Sequence, residues 1–386
     1  MKLVSKLLIG LLVLSLLAGC GGAPKKQDGG AAKPEAQPIK IGTVNPLSGN
    51  AATYGHSTKN GLELAKEEIN QAGGVNGRQI EVVFEDDAGD PKQAASATQK
   101  LVDDPEIVAI QGSALSSSSL AMAPIVERAK IPHLVVSSSS PKLTGINPYF
   151  FRMAVQDDQV GGLMGELAVT VLKAQKVAIM YPNNDYGKGL SAATESKAKE
   201  LGDSVVANVP YLATDKDFQA QLTDIKAKRP DVIALCGTYT DSALITKQAR
   251  EMDIAVPMIG GTGPNSPKFI EIAGKASEGF IFLGVFLPNN PDPKVQEFAS
   301  KYKAKFGVEP DQFAALAYDQ MYVIAEAVKR TLADGGKITR DTLTKALRQT
   351  SYQGVTGKVT FDGKGDWVRP YLYITIKDGK FELYKK

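Results

Sequence analysis

Apolar residues recur along this chain with two periods, and the periods take turns. Ile39-Lys40-Ile41-Gly42-Thr43-Val44 alternates as a strand does, whereas Leu62, Ala65 and Ile69 recur at helical spacing up to Gly73-Gly74. The same reading predicts strands at 80–83, at 107–110, ending at Val135-Val136 and at 149–155. Helices are predicted over 91–102, through Ile125 and Val126, and from about 158 to 173. Pro91 suits a first helical position, where a missing N–H costs nothing. The pattern then restarts, with strands at 177–180, 204–211, 232–236, 256–259 and 279–286. Between them lie helices over 187–201, through Phe218, Leu222 and Ile225, and over 240–252. Three helices, 293–306, 312–333 and 340–349, follow with no strand between them. Two β-rich stretches, 355–361 and 371–384, close the chain, the second a hairpin turning at Lys377-Asp378-Gly379.

Strand–helix alternation builds parallel sheets covered on both faces. Two such runs predict two α/β lobes. The late helices must cover a sheet already made, so the chain is expected to cross between lobes more than once.

A length of 386 residues with 43% hydrophobic content is enough for two buried cores. The net charge of +3 comes from scattered lysines, which argues against a nucleic-acid partner. Cys20 and Cys236 are the two cysteines. Cys236 ends the apolar run 232–236 and reads as a small core residue. Neither zinc-type Cys/His spacing nor a P-loop, GxGxxG, GxSxG or HExxH pattern is present. Glu85-Asp86-Asp87 with Asp90 lacks a calcium loop's alternation, because Ala88 interrupts it, and reads as a solvated strand end. No metal, cofactor or catalytic group is therefore expected. His133, beside Pro132, reads as structural, and His56 is a candidate for the wall of a cleft.

The start of the chain has its own logic. Lys2 and Lys6 precede an apolar run from Leu7 to Leu17, then small residues, so 1–19 reads as a secretory signal. The run is too short to span a bilayer. Leu17-Ala18-Gly19-Cys20 resembles the lipobox of bacterial lipoproteins. That resemblance implies cleavage before Cys20, a lipid on its sulfur, and anchoring to the outer face of the cell membrane or in the periplasm. Residues 20–38 read as a flexible tether.

Two serine runs, 116–119 and 137–140, each follow a predicted strand. Free N–H groups at a helix start, with hydroxyls beside them, favour an anion, and open α/β sheets bind ligands beyond the carboxyl ends of their strands. Tyr54, Tyr186 and Tyr239 are predicted in loops after strands, where aromatics give a cleft apolar walls and a hydroxyl. Tyr318 is a weaker candidate that also fits a core-facing helix stripe.

Residues 39–49 (Ile-Lys-Ile-Gly-Thr-Val-Asn-Pro-Leu-Ser-Gly), with Tyr54-Gly55 and Asn60-Gly61, resemble the opening of the leucine/isoleucine/valine-binding protein family. Glu68-Ile69-Asn70, Gly73-Gly74-Val75-Asn76-Gly77-Arg78, Phe150-Phe151-Arg152, 184–189 (Asn-Asp-Tyr-Gly-Lys-Gly) and Gln248-Ala249-Arg250-Glu251 continue the resemblance in order. It implies a type I periplasmic binding fold of two lobes joined by three hinge crossovers, near residues 156, 286 and 365. Lobe 1 is expected to hold 39–155 plus 287–364, and lobe 2 to hold 156–286 plus 365–386. It further implies a non-enzymatic protein that delivers a small-molecule ligand to an ABC permease.

By the same resemblance Ser116 and Ser139 occupy hydroxyl positions for a ligand carboxylate, and Ser137 a main-chain contact, with Ser138 beside them. Tyr54 and Tyr239 are implied to face the ligand and Tyr186 to cover it. Branched-chain binders usually carry an acid where this chain has Thr262, in Gly260-Gly261-Thr262-Gly263. Either Asp241 or Asp157 supplies the missing charge for an amino acid's ammonium, or the ligand lacks one. A hydrophobic amino acid and a small carboxylate or amide are the ligands left open. Sensing for a membrane receptor is the alternative to import.

Overall fold

A computed structural model describes residues 37–333, 335–367 and 369–385. The signal, Cys20 and most of the tether lie outside these described residues. The first sheet is built by β1 (Ile39–Asn45), α1 (Ala52–Gln71), β2 (Ile80–Asp86), α2 (Pro91–Val102), β3 (Ile107–Gly112), α3 (Ser116–Arg128), β4 (His133–Val135) and β5 (Phe150–Arg152). Its strands are all parallel, in the order β2-β1-β3-β4-β5. β1 is buried along nearly its whole length, as a central strand covered on both faces must be. The caps are local: Asp90 accepts from the N–H groups of Lys92 and Gln93 at 2.9 Å, and Pro91 follows.

The chain then enters a second sheet. It passes through α4 (Asp157–Glu166), which runs on into a π turn, then β6 (Lys176–Pro182), α5 (Asp185–Glu200), β7 (Ser204–Tyr211), α6 (Gln219–Lys228), β8 (Val232–Leu235), α7 (Tyr239–Glu251), β9 (Met258–Gly260), α8 (Pro267–Ala273) and β10 (Ile281–Gly284). Residues 285–292 lead out to α9 (Pro293–Phe306), α10 (Gln312–Ala333) and α11 (Arg340–Arg348), and α10 packs along α1 of the first lobe. A two-stranded ribbon, β11 (Ser351–Gly354) and β12 (Gly357–Thr360), follows. The final hairpin, β13 (Leu372–Lys377) and β14 (Lys380–Leu383), joins the second sheet antiparallel, giving β14-β13-β10-β9-β8-β6-β7. Asp378 and Gly379 both take positive φ at its tip, the conformation a two-residue hairpin turn requires.

Three passages join the lobes: after β5, after β10 and between β12 and β13. The first and third lie side by side. Arg152 N–H donates to Gly365 O at 2.8 Å, Trp367 N–H donates to Arg152 O at 3.0 Å, and their side chains pair through Asp366. Three local expectations change. The β-rich stretch 355–361 is half of a separate ribbon, clamped by the Asp319 carboxylate accepting from Val355 N and Thr356 N at 2.9 and 2.8 Å. The strand expected at 149–155 is shorter, Phe150–Arg152, with Met153 N–H still bonded to Val135 O at 2.9 Å before the chain turns into α4. Helix α8 is not foreseen, since its seven residues span too few turns to show a period.

Candidate functional site

The carboxyl ends of the parallel strands in both sheets face a common cleft. Its walls come from matching turns in the two lobes. In the first lobe Tyr54-Gly55 stands in the first turn of α1, and in the second Tyr186-Gly187 stands in the first turn of α5. A Cβ on Gly55 would lie 1.9 Å from Pro46 O, and one on Gly187 would lie 2.1 Å from Pro182 O. Each glycine therefore lets its helix press onto the end of the preceding strand, which brings the neighbouring tyrosine to the cleft. All three candidate tyrosines sit in first helical turns rather than in loops, because the helices begin earlier than their apolar periodicity does.

The space left between the walls is about 30 Å³, room for a water molecule or two. Tyr54, Ser116, Ser137, Tyr186 and Thr262 line it, with Phe313 beneath Tyr54. Ser116 opens α3, and its Oγ accepts from the N–H groups of Ser139 and Ser140 at 3.2 Å, which ties the two serine turns together. Ser137 Oγ donates to Ala114 O at 2.9 Å. Tyr54 hydroxyl crosses the cleft to Gly263 O at 2.7 Å, and Tyr186 hydroxyl reaches Gly237 O at 3.4 Å. Ser117 Oγ donates to Asp185 at 2.8 Å, and Lys142 pairs with the same carboxylate at 2.7 Å, so the lobes also touch outside the cavity.

Other expected site residues stand behind this wall. Ser138 is fully buried and bonds Ser119 Oγ and Ser113 O, holding the turn rather than facing the cavity. Ser139 is buried beside Asp157, its carbonyl accepting from Asp157 N–H at 2.9 Å, and does not line the cavity. Tyr239 does not face the cavity: its ring packs on Tyr54 and its hydroxyl donates to Asn50 O at 3.1 Å. Asp241 is consumed by its own lobe, accepting from Tyr211 hydroxyl and Thr238 Oγ1, each at 2.5 Å. Asp157 begins α4, and burial pushes its carboxyl up to about 8 although the Ser139 hydroxyl beside it favours the charged form. Tyr318 lies elsewhere, donating to Glu68 on the outer face where α10 meets α1. His56 is exposed on α1. His133 is fully buried against the Gly112 carbonyl, and burial lowers it to about 4. Phe313, Leu115 and Thr238 were missed as wall residues. Phe313 and Thr238 carry no sequence signal of their own beyond standing at a helix start.

Residues 38–380 match the family profile of periplasmic binding proteins. The chain belongs to that family, in its leucine/isoleucine/valine-binding branch. It is 30% identical to the leucine-, isoleucine-, valine-, threonine- and alanine-binding protein of Pseudomonas aeruginosa, over 86% of this chain and 87% of that protein. The branched-chain amino acid transporter substrate-binding protein of Streptococcus pneumoniae, solved in complex with isoleucine, is similar at 33% identity. The TM-score is 0.84, covering 90% of this chain and all of that one. A leucine-binding protein from Thermotoga maritima superposes with a TM-score of 0.83 at 30% identity, over 90% of this chain and 98% of that one. This periplasmic binding protein thus has the type I fold, two lobes and three crossovers, with its cleft where the two sheets present their strand ends.

Proposed function

We propose that this periplasmic binding protein is the extracytoplasmic, lipid-anchored substrate-binding component of an ABC importer. Its cleft grips a small solute by a carboxylate and turns nothing over. The lobes are taken as 39–155 with 287–364 and 156–286 with 365–386, hinged near 156, 286 and 365. Lipidation of Cys20 would tether the folded part to the membrane beside a permease. The observation that carries the reading is the pair of serine turns joined through Ser116 at the start of α3, facing Tyr186 and Thr262 of the other lobe. Hydroxyls and a helix N-terminus there suit an anion. A ligand that touches both lobes favours their closed arrangement, which a permease can read.

The relatives named above bind branched-chain amino acids, which supports a hydrophobic amino acid or a related small acid as the ligand class. A thermal-shift screen of amino acids and organic acids tests the reading. A binder present at about 100 times its dissociation constant should add about 2.7 kcal/mol of stability. Ser116→Ala should abolish the ligand-induced shift, measured against its own unliganded melt, which is expected to fall because the N–H groups of Ser139 and Ser140 lose their acceptor at a cost of about 1–3 kcal/mol. A shift that survives Ser116→Ala unchanged would place the solute elsewhere.

A further inference from the structure

We infer that the solute taken by this cleft is a small organic acid without an amino group. The inference rests on the cleft being the solute site, and it concerns what the wall offers a second charge. None of the described residues facing the cavity is charged. The carboxylate of an amino acid would meet Ser116, Ser137 and the start of α3, but its ammonium would meet only hydroxyls and backbone. A buried cation that loses its water needs a counter-charge or a full set of free acceptors.

The acids nearby are not available. Asp241 lies beneath the Gly237 backbone and already accepts from Tyr211, Thr238 and the N–H of Ser242. Asp185 sits at the rim between Lys142 and Ser117. Asp157 lies behind Ser139, packed under Gly189 of α5, and does not reach the wall. Three carbonyls that line or adjoin the cavity already accept one bond each, Gly263 O from Tyr54, Gly237 O from Tyr186 and Ala114 O from Ser137, and a neutral carbonyl supplies no counter-charge. Thr262 offers a hydroxyl, which can accept or donate without charge, whereas the Thr238 hydroxyl already donates to Asp241. Attraction to the tyrosine faces is weaker than a carboxylate's and does not replace it. Such a wall suits a carbonyl or hydroxyl beside the carboxylate, because the Thr262 hydroxyl can donate to the first and accept from the second.

Matched pairs differing only in the amino group decide the matter. The full-length protein is titrated calorimetrically with alanine and pyruvate, isoleucine and 3-methyl-2-oxopentanoate, and phenylalanine and phenylpyruvate. In the pair whose side chain fits best, the oxo acid is expected to bind at least about tenfold more tightly, a difference of ~1.4 kcal/mol. Equal or tighter binding of the amino acid, lost on Ser116→Ala, overturns this inference and leaves the cleft as the solute site. Binding of either member that is indifferent to Ser116→Ala, or no binding of any pair, overturns both.

Discussion

Tyr54 and Tyr239 meet edge to face across the cleft, their ring centroids 4.9 Å apart and their planes at 86°. Tyr54, from the first lobe, accepts from Tyr239 N–H at 3.1 Å and donates to Gly263 O. Tyr239, from the second, donates to Asn50 O and accepts from Thr53 N–H at 3.3 Å. Each hydroxyl is thus bonded to the opposite lobe, so the pair acts as a latch at the edge of the site.

Removing one side of that latch should shift the lobes toward the open state. Tyr239→Phe keeps the ring contact and deletes the hydroxyl bonds to Asn50 and Thr53. A net loss of about 1 kcal/mol for each of the two hydrogen bonds predicts an affinity weakened by up to about thirtyfold. Small-angle scattering should show a larger radius of gyration in the unliganded variant. An unchanged affinity and radius would mean that the bonds do not bias closure.

Tyr186 is expected to matter for binding far more than for folding. It is partly buried, and its hydroxyl makes one long bond, to Gly237 O at 3.4 Å. Tyr186→Ala should cost little in denaturant midpoint yet weaken the tightest ligand by more than about tenfold, as loss of a buried aromatic contact does. Calorimetry with the same affinity as wild type would remove Tyr186 from the wall.

Arg152 should be the costliest residue of the hinge to disturb. It is fully buried and donates to Asp366 Oδ1 at 2.7 Å, to Ser140 O at 2.9 Å and to Thr144 Oγ1 at 2.6 Å. One side chain therefore joins two crossovers to the second serine turn. Asp366→Ala strands a buried guanidinium and is predicted to destabilise by about 3–5 kcal/mol, with Asp366→Asn milder because it keeps an acceptor. Urea unfolding measures both, and a midpoint shared with wild type would show the pair to be idle.

Asp157 should make stability fall as pH rises. Its carboxyl is held protonated up to about 8 in the folded chain by burial, while the unfolded chain releases the proton near its ordinary value of 3.8. Between those values the folded state binds more protons, so this group's contribution declines with pH by at most about 1.4 kcal/mol per unit and levels off above the folded value. Melting curves from pH 5 to 8 should fall more steeply for wild type than for Asp157→Asn. Parallel curves would show that the group is ionised in the fold.

Most of the architecture was legible because periodicity is local. The helices 91–102, 293–306 and 312–333 and the strand 204–211 emerge at the bounds read from spacing alone. The site was legible only in part. Ser116, Ser137, Tyr54, Tyr186 and Thr262 meet at one cavity, yet Ser138, Tyr239, Asp157 and Asp241 stand behind or beside it. Spacing placed all of them at strand ends but carried no information on which way each side chain turns. Phe313 arrives from a helix more than 250 residues after Tyr54, a neighbour that no local pattern announces.

By itself the sequence determined the alternation of strands and helices, the return of the late helices to a sheet already made, and the absence of an acid at Thr262. Those follow from the order and character of neighbouring residues. Only the tertiary structure decided which polar groups remain free. Tyr211 takes up Asp241 and Asp366 takes up Arg152 across separations of 30 and 214 residues. A hydrogen bond between distant segments exists only once the backbone has brought them together, so the charge a cleft can offer is a property of the fold.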